Sequence, residues 1–527
     1  MTNTETHSVL SSALSTEALD ELRSIVGNEH VLTSPDELSE FRDPFQPRAW
    51  DDVQYSAAAV VQPETVAEVQ ALVGCATKYG IHLWTNSQGR NNGYGGSAPR
   101  VSGSVVLNLR RMNKVLTIDE ELGYALVEPG VSFMDLHAAL RAGGHKLMLS
   151  VPDLGWGSVI GNALDHGVTY MPQGADFMAP CGMEVVTADG TVLRTGMGAQ
   201  TDNPSWNLYK RGLGPSLDQL FMQSNFGIVT KMGVWLMPQP EVVMPIAVVV
   251  EREEDLIPLV DNLRTLRLDG TVRGVPGIFN TLCVAVTMSR RNQWFEGDGS
   301  VPDDVIQHIA DTVGVGRWML RLCLYGDEPV VDHQFAKIEA AFGTIPGAKI
   351  AGAKTPGAEV DSMPNSSDRV LAGVPNLDWA QMGAWTGGEH GGHMSFSPVV
   401  PMRGQEIYDL HVKMRGIVES RGLDYTADVM AINDRSVIFV CGNTMDFDDE
   451  EQTRSVYEVS KELVREIGRD GYGEYRAHLD YMDLAMDQFD FGNHAYLRFV
   501  EKIKDAVDPA GIFSPGKQGI WPRSLRP

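Results

Sequence analysis

Ser87-Gln-Gly-Arg-Asn-Asn-Gly-Tyr-Gly-Gly96 is the stretch on which the fold turns. Three of its last four residues are glycine, and it follows directly on Ile81–Trp84, an apolar run that reads as a strand. Ahead of that run, Ala57–Val61 is strand-like. Pro63 then opens an amphipathic stretch with Val66, Val69, Leu72 and Val73 on one face. The order is therefore strand, helix, strand, glycine-rich loop. Glycines let backbone N–H groups approach a phosphate closely, and such nests bind anions. The alternative is a plain glycine turn. The spacing matches neither G-x-G-x-x-G nor the GK[ST] phosphate loop, so a conventional Rossmann or NTPase site is not indicated.

Working towards the N-terminus, Ser34, Pro35 and Glu37 form a capping box, and Leu19, Leu22, Ile25 and Val26 recur at helical spacing. Residues 1–14 are polar and are expected to fray. Working the other way, Ser104–Leu109, Val115–Asp119 and Tyr124–Glu128 read as strands and Phe133–Ala142 as a helix. Gly155-Trp-Gly-Ser-Val-Ile-Gly-Asn162 is a second glycine-rich loop, and Ser224-Asn-Phe-Gly-Ile-Val-Thr230 a third. Pro238 and Pro240 mark a boundary. Beyond it, strands near Ala247–Val250, Trp318–Leu324 and Ser436–Val440 alternate with helices near Asp303–Val313, Val330–Phe342, Glu406–Glu419 and Thr453–Ile467. That alternation predicts a sheet covered on one face by helices. Residues 352–377, rich in Gly, Pro and Ser, are expected to form a long loop over a site. A last helix, Ala495–Val507, precedes Ser514-Pro-Gly-Lys-Gln-Gly519.

The 527 residues are 43% hydrophobic and 21% charged, ordinary for a globular chain of two to four domains. Lys plus Arg number 43 against 69 Asp plus Glu, a net charge of −26. Such a chain is repelled by nucleic-acid backbones and anionic membranes, so any anionic ligand needs a local positive pocket. Five scattered cysteines without a CxxC suggest neither a zinc ribbon nor a disulfide framework. The N-terminus lacks the pattern of a secretory signal, and no apolar run is long enough to span a bilayer. These features predict a soluble, cytoplasmic protein with no nucleic-acid or membrane partner.

Several segments then agree with one family. They are GRNNGYGG (89–96), LVEPGV (126–131), PDLGWGSVIGN (152–162), SNFGIVTKMG (224–233), GGHMSFSPV (391–399), GYGEYRAH (471–478) and FSPGKQGIW (513–521). In this order the chain resembles the vanillyl-alcohol oxidase/p-cresol methylhydroxylase flavoproteins, most closely their bacterial eugenol-oxidase-like members. The resemblance implies an α+β fold in which a two-part FAD-binding domain is formed by both chain ends, residues 1–241 and 473–527. An inserted cap of antiparallel sheet and helices, residues 242–472, carries the substrate. It further implies FAD held by Gly89, Arg90, Asn91, Asn92, Gly93, Ser158, Gly161, Asn162, Gly227, Ile228, Val229 and Lys517.

His393 matches the family histidine bonded to the 8α-methyl of FAD, with His390 as the alternative attachment point. Read without the resemblance, Glu389, His390 and His393 could instead hold a metal, although two histidines on a loop are weak evidence for one. Arg369 matches the arginine expected near flavin N1, where a guanidinium stabilises the reduced flavin's charge. Tyr94, Tyr475 and Arg476 match the residues that hold a phenolic oxygen. A phenolate is the better hydride donor, and two hydroxyls with one guanidinium stabilise it. Tyr475 and Arg476 are adjacent and would point opposite ways along a strand, so a kink at Gly471–Gly473 is expected to bring them together. Asp153 matches the family aspartate near flavin N5, and Tyr170 a pocket position. Gln173 and Ala175 depart from the relatives' aromatic and acidic residues, Ser395 replaces the fungal member's phenylalanine, and Asp428 stands where bacterial relatives usually carry glutamine.

The expected activity is FAD-dependent oxidation of 4-alkyl, 4-allyl or 4-hydroxymethyl phenols, with lignin-like methoxyphenols foremost. Hydride would pass to flavin N5 through a para-quinone methide, O2 would reoxidise the flavin to give H2O2, and the protein would be a homodimer or dimer-based oligomer. The competing readings are a same-fold dehydrogenase passing electrons to a cytochrome, a sugar- or lactone-oxidising member of the wider FAD superfamily, and a metal hydrolase using His390 and His393.

Overall fold

The computed structural model describes residues 14–46, 54–174 and 178–526. Most of the polar N-terminal stretch, and Ala175, lie outside the described residues. The strand–helix–strand unit forms as expected. Helix Val66–Tyr79 starts on a capping box between Thr65 and Glu68 and ends at Gly80, whose φ of 66° is left-handed. The Ile81 amide then donates to the Ala76 carbonyl at 2.9 Å, closing the helix. That bond postpones the next strand, which runs Leu83–Asn86 rather than Ile81–Trp84. Both flanking strands pair in parallel with Ser104–Asn108, and Val31–Leu32 adds an antiparallel edge. The glycine loop therefore leaves the carboxyl end of a buried parallel strand, where α/β folds place ligand sites.

Five further strands form a second, antiparallel sheet in the order Val115–Asp119, Tyr124–Val127, Ile228–Trp235, Pro180–Val186, Val192–Arg194. The chain's far end returns to this region. The Leu83 amide donates to the Ile512 carbonyl at 2.7 Å, and the Ser514 amide to the Leu83 carbonyl at 2.8 Å. Lys504 is fully buried, yet its ammonium donates to Asn225 O, Phe513 O and Asp508 at 2.7–2.8 Å. It thus ties the third glycine-rich loop to the C-terminal segment at no cost in unpaired charge.

A largely antiparallel nine-stranded sheet occupies Val242 to Asp446. Its first strand, Val242–Val250, is longer than the sequence suggested and contains Pro245. Proline lacks an amide to donate. It is tolerated here because edge pairing on that side is interrupted: Ile246–Val249 pair with 349–352, and Val242–Val243 with Thr355–Pro356. Helices Leu256–Leu268, Glu328–Phe342, Gly404–Glu419 and Glu450–Arg469 share one apolar core with one face of the sheet. Strand Thr426–Met430 shows the division by alternation. Ala427 and Val429 enter that core, whereas Met430 joins the core shared with the five-stranded antiparallel sheet. Residues 352–377 are more ordered than expected, with a short strand and helix Ser366–Leu371. No helix among the described residues is long and apolar enough to cross a membrane.

Candidate active site

The face of the large sheet opposite those four helices closes a cavity of about 390 Å³ against the three glycine-rich loops. From the first loop it is lined by Gly89, Arg90, Asn91, Asn92 and Tyr94, and from the second by Asp153, Ser158, Gly161 and Asn162. Gly227 and Val229 come from the third loop, Lys517 from the C-terminal segment, and Tyr170, Asp428, Tyr475 and Arg476 complete it. Ile228 turns the other way, into the core beside the parallel sheet, because neighbours along a strand face opposite sides.

The loops are built to sit close together. A Cβ on Gly89 would lie 2.0 Å from Ser97 Oγ, and one on Gly161 would lie 2.4 Å from Ser87 Oγ. Ser158 caps helix Val159–Leu164, accepting from the Gly161 amide at 2.9 Å. Arg90 donates to the Trp156 carbonyl at 2.9 Å, joining the first two loops. Lys517 pairs with Asp165 at 3.1 Å, so this acidic chain presents local cations at the cavity.

His393 lies on strand Gly391–Phe396 opposite Thr444. Its ring abuts Gly93, where a Cβ would come within 3.2 Å of Nε2, and the Phe45 ring centroid is 5.1 Å away. Burial lowers its pKa to about 4, so the imidazole is neutral, and Nδ1 finds no hydrogen-bond partner among the described residues. A neutral ring with a free nitrogen beside the glycine loop suits bonding to a cofactor. His390 is exposed and engaged with Asp448. Among the described residues no group of three or more His, Cys, Asp or Glu is placed to hold a metal.

Two polar clusters face the cavity. In the first, the Arg476 guanidinium lies 3.8 Å from the Tyr94 ring centroid and donates to Asn91 Oδ1. The Tyr475 hydroxyl sits beside both Tyr94 and Arg476 and interacts with them electrostatically. The bend that lets the neighbours converge falls at Tyr475–Arg476 itself, after a single bridge pairing Glu474 with Pro398, and not at Gly471–Gly473. The Tyr475 amide donates to Ser397 O at 3.1 Å, and Gln223 Nε2 donates to Tyr475 O at 2.8 Å, fixing that bend from both sides.

In the second cluster the Tyr170 hydroxyl donates to Asp153 Oδ2. Asp153 Oδ1 and Asp428 Oδ1 have no hydrogen-bond partner among the described residues. Burial raises both carboxyl pKa values, that of Asp428 strongly and with the Asp153 charge adding to it. Arg321 opposes both shifts. Its guanidinium lies 5.2 Å from the Phe279 ring and 5.8 Å from that of Tyr170. Arg369 does not line the cavity; it is half-buried on helix Ser366–Leu371 and donates to the Met363 carbonyl at 2.8 Å. A different guanidinium, that of Arg321, acts on the acids, and the sequence reading passed it over. Its signal was present: a lone charge inside the apolar strand Trp318–Gly326 must find a partner once buried.

A glycine-loop cradle, local cations and a neutral buried histidine define a flavoprotein site. Residues 57–196 match the FAD binding domain family. The chain is 36% identical over 507 residues to the 4-cresol dehydrogenase [hydroxylating] flavoprotein subunit of Pseudomonas putida, covering 95% of each. Its fold superposes on 4-ethylphenol oxidase from Gulosibacter chungangensis, solved with isoeugenol, at a TM-score of 0.91 with 37% identity over 98% and 99% of the two chains. For p-cresol methylhydroxylase with substrate bound, the TM-score is 0.89 with 34% identity over 96% of each chain. The protein is a flavin-dependent oxidoreductase with a PCMH-type FAD-binding fold and cap. It belongs to the vanillyl-alcohol oxidase/p-cresol methylhydroxylase family.

Proposed function

We propose that this enzyme oxidises para-substituted phenols bearing an alkyl, allyl or hydroxymethyl group, with methoxyphenols as the foremost class, and returns the electrons to O2 as H2O2. One observation carries the reading. A single cavity holds two tyrosine hydroxyls and a buried guanidinium in one cluster and a carboxylate pair in another. Bound FAD supplies a hydride acceptor at N5. The glycine loops, with Arg90 and Lys517, would hold the cofactor, and His393 would bond to it.

The chain's own groups do the rest. Tyr94, Tyr475 and Arg476 receive the phenolic oxygen and favour its ionised form, because donors in an enclosed site act far more strongly than in water. The oxygen lone pair then assists loss of hydride from the benzylic carbon, leaving a para-quinone methide. Asp153, oriented by Tyr170, faces positive charge developing on the substrate. It takes a proton from a benzylic hydroxyl or from water adding to the quinone methide. The methyl ether of a good substrate cannot ionise and is expected to give no turnover; turnover of that anisole would overturn the reading.

The histidine link is checked separately. His393→Ala should leave flavin in the supernatant after acid precipitation, whereas the unchanged protein should carry it into the pellet. Acid-stable flavin in the variant would reassign the link. A second reading, a dehydrogenase that passes electrons to a cytochrome, is favoured by the similarity to a 4-cresol dehydrogenase subunit. Oxygen uptake matching phenol consumption one for one supports the oxidase; reoxidation only by an added cytochrome supports the alternative.

A further inference from the structure

Behind the phenol site lies a second cavity, of about 320 Å³. Tyr475, Arg476 and Gln223 line both cavities and form the partition between them. Phe489 and Tyr496 also line the second one, and both are well exposed, so its outer rim reaches the surface. Glu474 lines the second cavity and not the first. It is only 8% exposed, and neither carboxyl oxygen has a hydrogen-bond partner among the described residues. Arg476 Nε is likewise buried without a partner.

An unpaired buried acid is costly and calls for a reason. Core packing does not supply one here, since a glutamine or methionine would fill the same volume. The cavity's size and its unpaired donor and acceptor suit a chain of water molecules. A need for such a chain follows from the proposed function, on which this inference rests. A phenol that binds as phenolate releases one proton into a partition that must stay closed to the bulk on the reaction side.

We propose that Glu474 and the second cavity form the proton outlet of the phenol site. The phenol O–H bond breaks and its proton passes to the Tyr475 hydroxyl, which yields its own proton to water in the second cavity. One Glu474 oxygen takes up a proton while the other releases one towards the rim. No electrons move, Tyr475 and Glu474 end as they began, and the phenolate remains paired with Arg476. A protonated acid relays in this way without adding a negative charge beside the phenolate. Burial keeps Glu474 in that form, pushing its carboxyl well above the usual range; the nearby Ser397 backbone opposes this without closing a hydrogen bond to either oxygen. The other titratable groups lining the cavity are His166, Tyr475, Arg476 and Tyr496.

The test uses the holoenzyme and para-chlorophenol, which has no benzylic carbon to oxidise. Stopped-flow mixing with a pH-indicator dye reads proton release as the phenol binds. Glu474→Gln should slow release at least about tenfold while leaving its amplitude unchanged, a conservative threshold against the about 10²–10⁴-fold that a placed proton-transfer group contributes. Ala485→Phe, which fills the second cavity from its wall, should slow release in the same sense and keeps the question open to test if the glutamine variant folds poorly. Release at the original rate in either folded variant overturns the outlet alone. Absence of any proton release in the unaltered enzyme overturns the phenolate reading, and the outlet with it.

Discussion

The Tyr94–Tyr475–Arg476 cluster and the Asp153–Tyr170–Asp428 cluster, whose acids feel the charge of Arg321, share one cavity and are built by different means. The first is carried by a glycine loop and a bend in the C-terminal segment, and cross-linked by Asn91 and Gln223. The second is assembled across strands of the large sheet and the second loop, with Asp428 and Arg321 on strands Thr426–Met430 and Trp318–Gly326. Their electrostatics also differ. Burial works against the charge of Arg476, but Tyr475, Tyr94 and Asp165 outweigh it and hold the guanidinium charged. In the second cluster burial prevails and pushes the carboxyls towards neutrality. One cluster keeps a charge in order to meet a charge. The other holds a proton more tightly on Asp428 than on Asp153, which leaves Asp153 the better base.

The sharpest way to break this contrast is at Arg476. Arg476→Lys keeps the positive charge but loses the planar fork and its hold on Asn91. Loss of one preorganised donor to a developing oxyanion typically costs about 10²–10³-fold in kcat. A fall in kcat/KM of at least about 10²-fold is expected, with weaker binding of para-chlorophenol. A change below about threefold would mean that a point charge suffices and that the first cluster is not a phenolate site.

Asp153→Asn comes next, because it removes the base while preserving shape and the bond from Tyr170. Flavin reduction by a 4-hydroxymethyl phenol should slow by about 10²-fold, within the range of a placed general base. Phenol binding should be unaffected, since the first cluster is intact. If binding falls and reduction does not, the two clusters have been given each other's tasks.

The first cluster was reached through the resemblance, whose segments 89–96 and 471–478 carry Tyr94 and the adjacent Tyr475–Arg476; that the two distant segments line one cavity is seen only in the fold. Most helices of the large-sheet region were legible from periodicity, and Phe133–Ala142 appears with the expected bounds. What remained hidden depends on distant partners. The start of strand Leu83–Asn86 is set by a helix-closing bond at Ile81 and by pairing with Phe513, far along the chain. The strand read as Ala247–Val250 extends back through Pro245 to Val242 because the edge beside the proline is interrupted. Arg321, a lone charge in an apolar run, and Glu474, next to the Tyr-Arg pair, gave a signal in the sequence, but their burial is seen only in the fold. Arg369 illustrates the converse, a polar-loop arginine matched by position whose guanidinium is used on Met363 instead.

The smallest effect, and the finest test of the comparison, is expected at Asp428. Its carboxyl is raised well above the ordinary range by burial first and by the Asp153 charge second, with Arg321 opposing. The folded protein therefore holds that proton more tightly than the unfolded chain. Stability from this group is complete below the ordinary aspartate range and is lost as pH rises towards the raised value. Replacement by glutamine should leave thermal stability unchanged in acid and raise it progressively at higher pH, by at most about 1.4 kcal/mol per pH unit. The same substitution removes the second carboxyl from the benzylic cluster. With two acids, one protonated and one ionised, a water molecule can be held and deprotonated as it adds to the quinone methide. With Asp153 alone, loss of a proton from the side chain competes better. Asp428→Gln is thus expected to shift the products of para-ethylphenol from the benzylic alcohol towards the vinylphenol by a few-fold, with flavin reduction changed far less than in Asp153→Asn. An unchanged ratio alongside the expected stability profile would leave Asp428 as a buried neutral acid that faces the cavity without touching the chemistry, and water addition would then rest on Asp153 and Tyr170 alone.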